Sequence, residues 1–522
     1  IYTISVKGGS RQRSYRMLFN TVEYILFLPV VVVLYYLLPA KARPIWLLGI
    51  SYYFYMQWDA KYVLLLFFCT LATYVGGLFL ERFRDRQESD EEEQQKNIIK
   101  RKSCFMVCLL ANLGILAFFK YSAFGVSILN QILSFFHVSM IPWNVNILLP
   151  VGISFYTLQA LGYLIDVYRG DIYAEKNFIH YALFVSFFPQ LVAGPIERSK
   201  NLLVQLHRPQ KFTYENLRKG LLLILYGLFL KMVIADRAAI LVDKVYGNPA
   251  EYSGVYIIVA TVFFSIQIYC DFYGYSTIAR GSAMLMGIRL MDNFDAPYFS
   301  KSVQEFWRRW HISLSGWFRD YLYIPLGGNK KGSVRKEGNR MIVFAVSGLW
   351  HGASLSFVLW GVLNGIYQVA EDLAERLGEK FLNTDRQEML RKTACFSKRL
   401  FRTVFTFVLI AFAWLFFRSG GVKESIVILG NMRDCSNWLV LLDGSLFELG
   451  VGRHYMGVLL LSILVLFLVD YQKYRGRDVA DLFLKQGWWF RTAAIMGMIY
   501  VILLYGIYGK IYDIQQFIYF QF

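Results

Sequence analysis

Residues 341–370 read MIVFAVSGLWHGASLSFVLWGVLNGIYQVA, thirty residues without one Asp, Glu, Lys or Arg. At 1.5 Å per residue, an unbroken helix of this length would extend about 45 Å, longer than the roughly 30 Å hydrocarbon core of a bilayer. Gly348, Gly352 and Gly361 are positions where a helix can break or where two helices can approach closely. The stretch therefore predicts membrane-embedded helical structure with points at which the chain can turn.

The composition of the whole chain is that of a multi-pass membrane protein. Of its 522 residues, 56% are hydrophobic and only 18% are charged, whereas soluble domains average about 25% charged residues. The apolar residues come in long uncharged blocks, which excludes a soluble enzyme, a disordered protein and a fibre. The net charge of +18 is attributed to cytoplasmic loops that face anionic lipid, so no nucleic-acid binding is expected.

The apolar blocks predict an all-α fold with about 10–13 transmembrane or re-entrant helices, because period-2 alternation is absent. Four segments rich in Lys and Arg are predicted to be cytoplasmic: 81–103, 329–340, 371–402 and 471–491. The chain divides into a basic N-terminal tail (1–16), a membrane domain (17–509) and an aromatic tail (510–522). One crossing at 492–509 after a cytoplasmic loop places that tail outside.

The segment 305–332 reads EFWRRWHISLSGWFRDYLYIPLGGNKKG. We predict one continuous helix over 304–323, with an apolar face and a polar face. Its apolar face contains Trp310, Leu314, Trp317 and Tyr321, and its polar line contains Arg308, His311, Ser315 and Arg319. One interpretation is an interfacial helix that only anchors the protein, since Trp and Arg suit the headgroup level. The other is that the polar line faces a water-filled cavity and presents His311 to a substrate.

Two histidines stand in positions that suggest chemistry. His351 lies inside the uncharged stretch, where an ionisable residue is by default a functional hypothesis, although a hydrogen-bonded packing histidine is the alternative. Histidine is the natural general base near pH 7, so a pair of them fits acyl transfer to a hydroxyl and fits a proton relay equally. The remaining histidines (His137, His180, His207 and His454) lie in loops or at block edges and are interpreted as structural. Cys104 and Cys108 lack companion ligands, so no metal site is expected.

Several motifs, in order along the chain, resemble the membrane-bound O-acyltransferase (MBOAT) family, in particular its bacterial polysaccharide branch, which includes alginate O-acetylation proteins. The motifs are MLFNTVEYILFLPVVVVLYYLLP (17–39), ISYYFYMQWDAKY (50–62), FFPQLVAGPIERSKNLLVQL (187–206), QIYCDFYGYSTIARGSAMLMGIRL (267–290), QEFWRRWHISLSGWFRDYLYIPLGGNKKG (304–332) and LWHGASLSFVLWGVLNG (349–365). The resemblance implies a helical ring around a thin centre, with core motifs in 267–365 and funnels from both faces that meet at the histidines.

By this resemblance His351 is the family histidine and His311 the second active-site position. Arg308, Ser315 and Arg319, from the polar line, and Trp350 are candidates for lining the substrate channel. The tail FIYFQF (517–522) resembles an aromatic motif in which a tyrosine accepts the acyl group transiently, which makes Tyr519 a possible acyl acceptor. An aromatic interface anchor is the alternative for this tail.

The resemblance implies an O-acetyltransferase component of the bacterial cytoplasmic membrane, with acetyl-CoA as donor substrate and no bound cofactor or metal. The implied partners are the lipid bilayer, an extracytoplasmic SGNH-hydrolase-like acetyltransferase and a cell-envelope or secreted polysaccharide as acceptor. Two alternatives stay open: D-alanyl transfer from a carrier protein to teichoic acid, and a non-enzymatic proton-coupled transporter that uses the two histidines as a relay.

Overall fold

A computed structural model of the chain describes residues 17–84, 91–142, 149–192, 194–381, 396–508 and 518. These residues are predominantly helical and contain no β-strand, apart from one isolated bridge between Phe294 and Trp310. The predicted all-α fold is thus confirmed. The tail 1–16 and Tyr519 lie outside the described residues.

The helices up to residue 285 are α1 (Val22–Leu37), α2 (Arg43–Met56), α3 (Tyr62–Arg82), α4 (Glu91–Phe135), α5 (Ile153–Arg169), α6 (Phe178–Ser186), α7 (Phe188–Leu191), α8 (Ser199–Leu206), α9 (Tyr214–Leu228), α10 (Asp236–Gly247) and α11 (Val255–Leu285). The later helices are α12 (Val303–Arg309), α13 (Ile312–Phe318), α14 (Ser333–His351), α15 (Leu355–Phe381), α16 (Phe396–Arg418), α17 (Val422–Met432), α18 (Arg453–Tyr474), α19 (Val479–Leu484) and α20 (Trp488–Tyr505). Two π-helical turns, Phe229–Ala235 and Arg319–Tyr323, follow α9 and α13 directly.

Six helices in the described part of the chain are long and apolar enough to cross a membrane: α3, α4, α11, α16, α18 and α20. The shorter apolar helix α1 and the α6–α7 segment add to them. The protein is therefore a multi-pass membrane protein in which several apolar helices are too short to span a bilayer unaided.

Helix α11 is the centre of the bundle. In its most apolar window 78% of the residues are buried within the protein, compared with 11% in α4 and 6% in α20. It packs against α9, α10 and the π-helical turn between them. Helices α4 and α20 present most of their surface outward, as lipid-facing helices do.

A fully buried ion cluster joins the π-helical turn 229–235 to α11. The Lys231 Nζ lies 2.7 Å from the Asp236 Oδ1 and 2.6 Å from the Asp271 Oδ1. The backbone N–H of Ile518, a buried residue of the C-terminal tail, donates to the Asp271 Oδ2 at 2.8 Å. The two carboxylates are therefore held by a lysine and by the tail backbone, and removal of one partner would leave a buried charge uncompensated.

Candidate active site

The uncharged stretch 341–370 forms the end of α14 and most of α15, which fold back on each other as an antiparallel hairpin. A Cβ atom at Gly348 would lie 2.2 Å from the Phe357 carbonyl oxygen, and one at Gly361 would lie 2.2 Å from that of Phe344. Any larger residue would push the two helices apart. The break that the sequence predicts is confirmed, and it falls immediately after His351.

His351 is the last residue of α14 and only 5% exposed. Its ring packs among aromatic rings, with centroid distances of 5.0 Å to Trp360, 5.3 Å to Phe417 and 4.9 Å to Trp350. This surrounding excludes bulk water from most of the imidazole. A base placed here can act on a hydroxyl with little competition from hydrolysis.

The prediction of one continuous helix over 304–323 is wrong. Helix α12 ends at Arg309, Trp310 is extended, and His311 adopts a left-handed conformation (φ 44°, ψ 54°) before α13 begins. The break is stabilised by residues distant in sequence: the Asp295 N–H donates to the Arg309 carbonyl, and the Ile312 N–H donates to the Asn293 carbonyl, both at 3.0 Å. Backbone groups used in these bonds cannot continue an α-helix.

Because of this break, the four residues of the predicted polar line do not lie on one face. Arg308 and Arg319 are exposed, and Arg319 pairs with Asp320 at 2.8 Å. Ser315 is half-buried, and its hydroxyl donates to the Trp310 carbonyl at 3.3 Å. Only His311 turns fully inward. Its neighbours on the chain therefore do not form one surface with it.

The interpretation of this segment as an interfacial anchor is also wrong. Trp310, Leu314 and Trp317 are buried within the protein, with exposed fractions of 1%, 3% and 9%. The Trp317 indole N–H donates to the Leu158 carbonyl of α5 at 2.8 Å. These side chains therefore pack the interior of the helical bundle.

The fold brings both histidines into contact with one indole. The Trp350 ring centroid lies 6.2 Å from that of His311 and 4.9 Å from that of His351. Phe272 and Phe155 pack against the His311 ring at 4.6 Å and 6.3 Å. Three candidates predicted from the sequence, His351, His311 and Trp350, thus share one buried aromatic site.

A small cavity of about 60 Å³ reaches His351. Its lining includes Trp350, Phe155 and Gly152, with Lys120 as the charged residue. The volume suits a water molecule or the end of a small acyl group, since a water needs about 10–15 Å³ of such space. The cavity therefore gives His351 access to a reactant that the aromatic walls otherwise exclude.

Lys120 is a residue of this site that sequence reasoning does not single out. The apolar block 104–119 ends just before it, but α4 continues to Phe135 and places Lys120 beside the end of α14. The Lys120 Nζ donates to the carbonyl oxygens of Trp350 and His351, the latter at 3.2 Å, and lies 3.4 Å from the Ser154 Oγ. The signal that could have found it is a lone lysine with apolar helix on both sides.

In the described part of the chain, the three side chains with metal-ligand spacing lie elsewhere, at Glu175, His180 and His207. The immediate surroundings of His351 are instead aromatic rings, the Lys120 ammonium and backbone groups. This arrangement suits proton transfer at an imidazole rather than metal coordination.

Comparison with known proteins agrees with this geometry. Residues 47–417 match the model of the MBOAT, membrane-bound O-acyltransferase family. A probable alginate O-acetylase of Pseudomonas putida is 36% identical over 419 residues, which cover 80% of each chain. The peptidoglycan O-acetyltransferase of Helicobacter pylori is 32% identical over 452 residues, again covering 80% of each chain. The teichoic acid D-alanyltransferase of Bacillus subtilis is 28% identical over 258 residues, covering 45% of this chain and 62% of that protein.

The region that matches the family model, residues 47–417, includes both histidines, their aromatic surroundings and the α14–α15 hairpin. This chain belongs to the membrane-bound O-acyltransferase family.

Proposed function

We propose that this protein moves an acetyl group from a cytoplasmic thioester, acetyl-CoA, across the bacterial cytoplasmic membrane for O-acetylation of a cell-envelope or secreted polysaccharide. The observation that carries the proposal is the position of His351, enclosed by aromatic rings at the end of α14 and reached by a small cavity. Relatives that match this chain over most of its length are named as polysaccharide O-acetylating enzymes.

In the proposed reaction the His351 imidazole removes the proton of the acceptor hydroxyl as its oxygen attacks the thioester carbonyl. A C–O bond forms, the C–S bond breaks, and the leaving thiolate takes up the proton, so an ester and a free thiol result. General base catalysis of this kind contributes about 10²–10⁴-fold. Trp350 and Trp360 keep water from the base, and His311, which also packs against Trp350, assists proton transfer or polarises the carbonyl.

The acetyl group then leaves through the outer face. Tyr519 is the proposed first acceptor, and an SGNH-hydrolase-like partner with its own serine nucleophile passes the acetyl group to the polysaccharide. What supports this route is the anchoring of Ile518, the residue before Tyr519, by its hydrogen bond to Asp271. The tail backbone is thereby bonded to the central helix α11.

The alternatives have weaker support. The D-alanyltransferase relatives match less than half of this chain, whereas the acetylating relatives match about 80% of it. Free carboxylates in the membrane interior would favour a proton-coupled transporter, but Asp236 and Asp271 are paired with Lys231. Asp166 accepts hydrogen bonds from Tyr321 at 2.8 Å and Ser199 at 3.2 Å.

The proposal is tested by incubating the purified protein, reconstituted in vesicles, with radioactive acetyl-CoA, and by measuring polysaccharide acetyl content in cells. His351→Ala should abolish both acetyl labelling and polysaccharide acetylation while membrane protein level stays normal. His454→Ala is the matched control, because His454 is exposed and lies on α18. Wild-type acetylation in the His351→Ala strain would remove the base assignment, and labelling by a D-alanyl carrier protein alone would favour the D-alanyl alternative.

Tyr519→Phe tests the relay separately. The substitution deletes one hydroxyl oxygen and keeps the ring, so an interface anchor should tolerate it, whereas an acyl acceptor should lose function completely. Normal polysaccharide acetylation by this variant eliminates the acyl-tyrosine step and leaves the role of His351 untouched.

A further inference from the structure

Outside the acyltransfer site, three side chains that can bind a metal ion lie close together: Glu175, His180 and His207. The His207 Nε2 lies 2.6 Å from the Glu175 Oε2, and the rings of His207 and His180 have centroids 4.1 Å apart. One ligand atom of each of the three residues lies within 4.8 Å of the others. No step of the proposed acetyl transfer uses this cluster.

Local structure fixes two of the three side chains. The Glu175 N–H donates to the Tyr163 hydroxyl at 2.8 Å, and the Glu175 Oε1 accepts from the Asn177 N–H at 2.8 Å, which leaves Oε2 directed at His207. Asn177 caps α6, and its side chain accepts from the backbone N–H groups of Ile179 and His180. This cap holds His180 in the first turn. Hydrogen bonds that orient ligands in this way are typical of metal sites.

The donor set matches that of a zinc site, and the His207 Nε2 must move away from the Glu175 Oε2, which lies 2.6 Å from it, to admit the ion. Two imidazoles and one carboxylate, with water in the fourth position, form a common zinc arrangement, and metal–ligand lengths near 2.0 Å place ligand atoms about 3.3 Å apart. The side chain of His207 is 43% exposed, so its ring can turn by the small amount needed. The His180 Nδ1 is buried and has no hydrogen-bond partner among the described residues. A buried nitrogen of this kind calls for a partner, and a bound ion would supply one.

A cavity of about 410 Å³ opens beside the two histidines and supplies room for the fourth ligand. Lys41, Arg43 and Arg208 also line it. The Arg43 guanidinium is committed to backbone carbonyls, at 2.6 Å to Gln210 and 3.1 Å to Leu38. The basic rim favours a water or small anion in the open position.

The cluster lies on the same side of the protein as the predicted cytoplasmic loop 81–103. The Arg84 Nη2, at the start of that loop, donates at 2.9 Å to the Gly170 carbonyl, five residues before Glu175. His207 directly follows α8, and the Ile196 N–H just before α8 donates to the Ser313 hydroxyl of α13 at 3.1 Å. An ion here would tie the segment after α5 to the segment that contacts the helix next to His311.

We propose that Glu175, His180 and His207 bind one zinc ion at the cytoplasmic face, with water as fourth ligand, as a clamp between the segment after α5 and the end of α8. The simpler alternative is that His207 and Glu175 form a hydrogen-bonded pair and bind no metal ion. Glu175→Gln distinguishes the two, because glutamine keeps a hydrogen bond to His207 but provides no anionic ligand.

The test uses the purified full-length protein, stripped with a chelator and dialysed against zinc sulfate. Elemental analysis of the wild type should give about one zinc per chain, and cobalt chloride should give the visible absorption of a tetrahedral site. His180→Ala, His207→Ala and Glu175→Gln should each weaken zinc binding by more than the about 10–100-fold that loss of a residue orienting a ligand costs. His137→Ala and His454→Ala, both at exposed histidines, should bind zinc as the wild type does.

Zinc retained by Glu175→Gln at wild-type affinity overturns the proposal, as does wild-type binding that saturates only at millimolar zinc. If a ligand variant fails to fold, the wild type alone decides: zinc should raise its melting temperature and cobalt should give the tetrahedral spectrum. Absence of both effects contradicts the site.

Discussion

Lys120 and His351 are joined by a hydrogen bond in which the lysine Nζ donates to the histidine carbonyl oxygen at 3.2 Å. The same Nζ donates to the Trp350 carbonyl, so one ammonium group satisfies two acceptors at the end of α14. A cation at a helix C-terminus also interacts favourably with the helix dipole. This contact connects the lipid-facing helix α4 to the residue that we propose as the catalytic base.

Replacement of Lys120 by Met should destabilise the protein and reduce acetyl transfer. Methionine keeps an unbranched chain but removes the donor, and loss of hydrogen bonds to a charged group costs about 1.5–3 kcal/mol. Thermal unfolding in detergent and acetyl-transfer rate measure the two effects. Lys102→Met, at an exposed position of the same helix, is the control and should change neither. Equal behaviour of the two variants would show that the contact with α14 is unimportant.

Substitutions of His311 should separate its chemistry from its backbone conformation. Asparagine tolerates the left-handed region better than alanine, for which that conformation costs about 1–2 kcal/mol. His311→Asn should therefore unfold near the wild-type temperature and His311→Ala at a lower one, while both lose at least about 10²-fold in acetyl transfer. Arg308→Ala should have a smaller effect, since Arg308 is exposed. Full activity in a stable His311→Asn variant would leave His311 a structural role only.

The close approach of α14 and α15 should make their glycines intolerant of one added methyl group. Gly348→Ala and Gly361→Ala each place a Cβ 2.2 Å from a backbone carbonyl oxygen, which forces the helices apart and displaces His351. We expect little folded protein in the membrane. Gly338→Ala, on the same α14 with nothing within 4 Å of the added Cβ, should accumulate normally. Detergent-extracted protein that elutes as a single monodisperse species is the measure, and normal yields of both hairpin variants would contradict the packing.

The packing between the start of α14 and the later part of α15 should depend on Asp372, and its strength should change with pH. The Asp372 Oδ1 lies 2.6 Å from the Lys336 Nζ and 3.3 Å from the Arg340 Nη2. Burial raises the pKa of Asp372, but the hydrogen bond from Lys336 and the charge of Arg340 outweigh it and hold the pKa well below its ordinary value. The folded state therefore keeps this carboxylate ionised at pH values where the unfolded chain takes up a proton.

The stabilisation from Asp372 is consequently complete above the unfolded pKa, near 3.9, and is lost as the pH falls towards the depressed folded value. Asp372→Asn should lower the unfolding free energy by roughly 1–3 kcal/mol at neutral pH. The difference from wild type should stay constant down to about pH 5 and shrink below about pH 4. Glu375→Gln, at an exposed position of α15, is the control. A difference that shrinks already between neutral pH and pH 5 would mean that another group carries the effect.

The sequence by itself determined that this is a membrane protein and identified one residue of its candidate site, His351. Long uncharged apolar blocks require membrane helices, because backbone groups in lipid must bond within their own segment. His351 is a functional candidate because it costs free energy to place an ionisable imidazole among thirty uncharged residues in a membrane. The glycines at 348 and 361 also marked where helices could turn or touch. These properties depend only on local sequence, so residues 341–370 alone are enough to predict them.

Only the tertiary structure decided the rest of the site. The helical period predicted one helix through His311, but backbone hydrogen bonds with Asn293 and Asp295, which precede this segment, interrupt it and turn His311 inward. Lys120 reaches His351 across 231 positions of sequence. Periodicity reports only which neighbours share a face of a regular helix. A left-handed residue, a bridge between separate backbone segments and a lysine inside another helix all depend on non-local contacts, which form only when the whole bundle packs.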